Sequence, residues 1–230
     1  MKIFGQPESY SDMLQRIFYT SVASGLICTV ILSHASPSVK AFLDSVSTEA
    51  KIGPLKGLKA LYVLIPLAIV LISRMLRLHD KISDLLRIRF LFDTRYLLFP
   101  LAKLSGHNLT KKLRKAISKN RVDAMYATFY IYAGFQNPVI DTQLVRTAAD
   151  NWGWFWVLLE SSFMFGVTGV ILLVLYESAY VQICLAVILI QMCLLLFEWY
   201  ACRGSAKRQV DAILADSSRR TDIHTYFLGI

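Results

Sequence analysis

Apolar and polar positions along this chain are gathered into blocks rather than interleaved. Four apolar runs stand out, at residues 17–32 (IFYTSVASGLICTVIL), 58–73, 152–176 and 179–200. A long apolar run almost free of charge marks a membrane-spanning helix rather than a surface helix or a half-buried strand. As helices, the first two runs rise only about 24 Å, against a hydrocarbon core of about 30 Å. Flanking residues from Met13 to His34 can lengthen the first, which places the spans at 17–34 and 57–73. Pro66 predicts a kink in the second, one that neighbouring helices must accommodate. The third and fourth runs span alone. Only Glu177 and Ser178 separate them, so they should form a tight antiparallel hairpin.

Between the second and third spans lies a polar stretch, residues 74–150, too long for a mere connector. Its start, RMLRLHDKISDLLRIRFLF, repeats apolar residues at Met75, Leu78, Ile82, Leu85, Leu86 and Phe90. That spacing predicts one long helix running on from the second span, with charges on its other face. Pro100 and Ser105-Gly106 should break the pattern. A basic stretch then leads into a helix rich in Tyr and Phe, residues 126–135. Asn137-Pro138 is expected to restart a helix, with Asn137 as N-cap, that continues through Leu144 and Val145 into the third span. The tail from Arg203 to Asp216 reads as one more amphipathic helix. The domains expected are therefore a transmembrane hairpin (1–73), a basic helical region (74–150), a second hairpin (151–200) and a tail (201–230). No internal repeat, low-complexity run or extended strand pattern interrupts this all-α reading.

Composition agrees, with 55% hydrophobic residues, and charge sets the orientation. All but four of the 25 Lys and Arg (Lys40, Lys51, Lys56 and Lys59) lie in the two end segments or the long central one. Positive residues are retained in the cytoplasm, so both termini and residues 74–150 are expected inside. The aromatic set Trp152, Trp154, Trp156, Trp199 and Tyr200 then marks the inner interface, and Tyr176 and Tyr180 the outer. A cleavable signal peptide is the rival reading of the first run, prompted by Ser33-His34-Ala35; the long preceding segment with Glu8 and Asp12 argues against it.

Against this frame the polar residues inside the spans need a reason. Glu160 lies about 12 Å into the third span, where an ionised carboxylate costs about 3 kcal/mol unless it finds a partner, a wet cavity or a proton. In the fourth, Glu177, Cys184, Gln191 and Glu198 recur every seven residues and share one drifting face. Such a stripe lines a water path or joins helices by hydrogen bonds. Ser21-xxx-Gly25 and Ser162-xxx-Gly166, with Gly169 a turn on, would let helices approach closely. In the central region Lys111, Lys112, Arg114, Lys115, Lys119 and Arg121 form a basic run. It suits anionic lipid, a nucleotide messenger or an acidic protein, or is simply a solvated juxtamembrane face. Aromatics follow it without interleaving, which speaks against nucleic acid.

No metal or cofactor is expected: the four cysteines form no CxxC pair, and the four histidines are scattered. No nucleophile motif, phosphate loop or H-E-x-x-H is present, so the chain is not expected to be an enzyme. Four spans with both ends inside and a basic helical insert after the second resemble the small membrane components of bacterial anti-phage systems. The architecture looks most like the KwaA family, the membrane subunit of the Kiwa system. That resemblance implies a multi-pass protein of the bacterial inner membrane, a homo-oligomer with a tetramer favoured. It also implies a sensor that recruits a soluble cytoplasmic partner. A ligand-gated pore lined by Glu160, Gln191 and Glu198 is the alternative.

Overall fold

The computed structural model of the protein describes residues 5–46, 60–76, 78–136 and 138–230. All regular elements among them are helical: α1 (Tyr10–Ala35), α2 (Pro37–Val46), α3 (Ala60–Met75), α4 (Leu78–Leu85), α5 (Ile88–Phe92), α6 (Phe99–Leu104), α7 (Lys111–Lys119), α8 (Arg121–Met125), α9 (Ile131–Ala133), α10 (Thr142–Val174), α11 (Ser178–Leu214) and α12 (Ser217–Leu228). A π-helical turn joins α5 to α6 over Asp93–Leu98, and a second joins α8 to α9 over Tyr126–Tyr130. The chain divides into two compact units. One is apolar, made of Leu14–His79 and Gly153–Phe197; the other holds the residues up to Met13, Asp80–Trp152 and Glu198–Ile230.

In the apolar unit, α1, α10 and α11 are each long and apolar enough to cross a membrane. At 16 residues α3 falls short alone, and a fourth crossing arises only if α3 and the helix after it count as one broken span. Pro66 sits inside α3, as expected of a span whose neighbours tolerate the lost hydrogen bond. The core of this unit is contributed by three helices: Cys28 and Ala35 of α1, Phe165 and Leu172 of α10, and Val181 and Cys184 of α11. At Gly25 α1 and α3 approach closely, since a Cβ there would stand 2.8 Å from Pro66 Cβ. The small-residue spacing therefore has its expected use at Gly25. At Gly166 it does not, because an added Cβ would meet nothing within 4 Å. The α10–α11 hairpin is as tight as expected, but its turn falls on Leu175–Glu177 with Tyr176 left-handed (φ 60°), and Ser178 already begins α11.

Several boundaries in the other unit depart from the sequence pattern. The long helix expected from Met75 onward is broken twice, at Leu76 and again at Leu86-Arg87, where Arg87 takes a left-handed conformation (φ 53°). Apolar spacing persists across both breaks, so periodicity alone conceals them. Pro100 ends nothing: it lies in the first turn of α6, directly after the π turn Asp93–Leu98. Gly106 (φ 106°) does end it. The start of α10 comes later than Asn137-Pro138. Gln143 N–H donates to Asp141 Oδ1 at 2.9 Å, so Asp141 takes the capping role; Asn137 itself lies outside the described residues. Arg77, Lys51, Lys56 and Lys59 lie outside them as well. The tail helix expected at Arg203–Asp216 is the continuation of α11, and a further helix follows it. Asp216 caps α12 by accepting from Arg219 N–H at 3.0 Å. Leu98, Leu101, Ile117, Met125, Ile213 and Ile223 are fully buried and form the centre of this unit.

Candidate functional site

Several polar side chains of the apolar unit pair across helices. Gln191 on α11 faces two adjacent serines of α10. It donates through Nε2 to Ser161 Oγ at 2.7 Å and accepts through Oε1 from Ser162 Oγ at 2.9 Å. Ser161 is also 2.9 Å from Ser24 Oγ on α1, so one chain of hydrogen bonds ties three helices. Nearby, Ser21 Oγ donates to Glu160 Oε2 at 2.8 Å. A carboxylate in hydrocarbon without a donor would cost several kcal/mol. Each interhelical bond contributes about 0.6–1.7 kcal/mol, because polar groups find other partners in the unfolded membrane state.

Not all of the expected stripe joins this network. Cys184 is fully buried among Cys28, Phe165 and Leu172, so it serves as a small core residue rather than a polar one. Glu198 belongs to the other unit, where Asp150 is its charged neighbour. The aromatic set is also engaged within the chain. Trp152 packs edge-on against Phe92 at 4.4 Å, Trp199 against Phe92 at 5.7 Å, and Trp154 lies under the Arg16 guanidinium at 5.0 Å.

The basic run divides in two. Lys111, Lys112, Arg114, Lys115 and Lys119 are exposed on α7, which Thr110 caps by accepting from Leu113 N–H at 3.2 Å. On the opposite face of α7, Ile117 is fully buried. Arg121 turns inward at the start of α8 and pairs with Asp93 in the first π turn. Arg89 reaches the Tyr130 hydroxyl of the second π turn, and the two π turns touch. Burial pushes the Asp93 carboxyl above its ordinary value by more than Arg121 pulls it down. Tyr130 is also raised, by burial and by Asp93. A π turn is costly in isolation and recurs at sites under constraint. Here both carry members of one polar network centred on the buried Asp93.

Elsewhere in this unit α12 docks through two stacked histidines. His107 and His224 stack at 4.3 Å; His107 Nε2 lies 3.0 Å from His224 O, and His224 Nδ1 lies 2.9 Å from Ser105 O. Neither this pair nor the Asp93 network is visible as a motif, because their members stand far apart in sequence. Among the described residues no three His, Cys, Asp or Glu side chains gather to hold a metal ion.

Three helices able to cross a membrane, tied by an internal polar network, define a multi-pass helical membrane protein. It belongs to the YmfE protein family, whose model matches residues 9–227, nearly the whole chain. No curated protein and no solved structure matches it. The family match brings no link to KwaA or to the Kiwa system.

Proposed function

We propose that this chain is a non-enzymatic sensor or scaffold of the bacterial inner membrane. It crosses four times with both ends inside, assembles as a homo-oligomer, with a tetramer favoured, and recruits a soluble protein to its cytoplasmic helices. The observation that carries this reading is α7: five exposed cations on one short capped helix whose opposite face is held by Ile117. A rigid basic face of that kind suits an acidic protein partner, with electrostatic steering of the encounter. Only 11% of the most apolar stretch of α11 is buried within the chain, which leaves that face open to lipid or to a second copy alike. The likeness to KwaA extends the reading to antiviral defence, with perturbation of the membrane by phage as the trigger. A ligand-gated pore is less well supported, because Gln191 is already occupied by Ser161 and Ser162.

The test is purification in mild detergent from cells carrying the native gene neighbourhood, read by mass photometry and peptide identification. We expect a homo-oligomer with a stoichiometric soluble protein, which a Lys111→Glu/Lys115→Glu variant releases. A bare oligomer would sink the recruiting role and move the search to conductance in a planar bilayer.

A further inference from the structure

We propose that the polar end of α11, facing α6, is a binding site for one anionic phospholipid. The inference needs only that α11 enters a membrane; it does not depend on recruitment of a partner. Within the polar-helix unit a cleft of 510 Å³ opens between Tyr96, Pro100 and Leu104 on one side and residues 200–211 of α11 on the other. Its lining is mostly apolar, yet it carries Arg203 and Lys207, one helical turn apart. The Arg203 guanidinium is held between two phenol rings, 4.8 Å from the centre of Tyr96 and 5.4 Å from that of Tyr200. Two ring contacts thus hold the Arg203 side chain among the residues that line the cleft. Asp211 also lines the cleft, which leaves a net single positive charge on the lining.

Two features argue for a lipid rather than a soluble anion. The cleft begins at Tyr200, where the apolar run 179–200 ends, so it lies at the depth of headgroups if α11 spans. Tyr rings and basic side chains at that level are the usual partners of anionic headgroups. In addition, a free phosphate has no use for the apolar walls of Pro100 and Leu104, whereas the glycerol and first methylenes of a lipid bury against them.

Gly204 gives an independent sign. It lies inside a 37-residue helix, where glycine costs about 1 kcal/mol relative to alanine. No close contact within the chain demands it, since an added Cβ would meet nothing within 4 Å. It does line the cleft. Its missing side chain keeps that space open.

The experiment uses the full chain in mild detergent, with native mass spectrometry reading the binding of palmitoyl-oleoyl-phosphatidylglycerol. The phosphatidylcholine of the same chains and inorganic phosphate serve as comparisons. We expect phosphatidylglycerol to bind roughly tenfold more tightly than phosphatidylcholine, the effect of one to two interfacial cations. Arg203→Gln/Lys207→Gln should remove that preference. Gly204→Leu should block binding while leaving the thermal melt unchanged or higher, which separates loss of the site from loss of the fold. Equal affinity for the two lipids, or unchanged binding to the Gly204→Leu protein, would overturn the proposal. Displacement of the lipid by millimolar phosphate would overturn the lipid assignment in favour of a soluble anion.

Discussion

At the scale of single residues, Gly25 is a tight constraint in the apolar unit. A methyl group there would press on the ring of Pro66, which is too rigid to yield. We expect Gly25→Ala to destabilise the protein by about 1–3 kcal/mol through overpacking, despite the better helix propensity of alanine. A melt in detergent equal to or above that of the native chain would refute this. Asp93 makes a pH-dependent prediction. Its folded carboxyl binds a proton more tightly than in the unfolded chain, because burial outweighs Arg121. Its contribution is therefore full below the ordinary carboxyl range and is lost as pH climbs through the raised folded value. Melting temperature relative to an Asp93→Asn variant should fall from about pH 4 toward neutrality, and parallel profiles would exclude it. Glu160 was legible from sequence because a carboxylate inside a span always needs an explanation. Its partner Ser21, and Ser24 beside Ser161, were not, since a serine costs little wherever it stands. The pairing of Asp93 with Arg121 escaped notice for a different reason: 28 residues separate them, and no local spacing encodes that meeting.

Among the elements, strength of pattern decided what could be read. The runs that become α1, α10 and α11 were visible because some twenty apolar residues together outweigh any local signal. The breaks within 74–104 were not, since helical spacing continues through Leu76 and Arg87 while the backbone does not. Only a left-handed residue at Arg87 marks the second break, and arginine gives no warning of that conformation. The short helix α7 shows what such elements rely on. Its exposed face is nearly all cationic, and like charges a turn apart repel. The Thr110 cap and the single anchor Ile117 offset this. Thr110→Ala should cost about 1 kcal/mol. Hydrogen exchange should then rise across Lys111–Lys119 ahead of its neighbours; uniform exchange over the whole unit would show that the cap has no local role.

For the molecule as a whole, the question is what the internal polar network does. If it joins helices, Gln191→Leu should lower stability by about 1 kcal/mol, because Ser161 and Ser162 lose their partner. Ion permeability of proteoliposomes should not change. A changed conductance with unaltered stability would reverse that assignment. The sequence showed the apolar and polar halves of the chain, but not how α11 treats the boundary between them. A tail helix separate from the fourth span seemed natural because composition changes sharply near Tyr200. Backbone hydrogen bonding disregards composition, and α11 runs for 37 residues, about 55 Å, containing no proline. Along an unbroken helix, each residue sets the angular phase of the next. Inserting one alanine beyond Tyr200 would turn everything downstream by about 100°, whereas seven would return it nearly to phase two turns further out. If the proposed recruitment of a soluble partner vanishes with one inserted residue and recovers with seven, the angular phase of α11 rather than its reach matters to it.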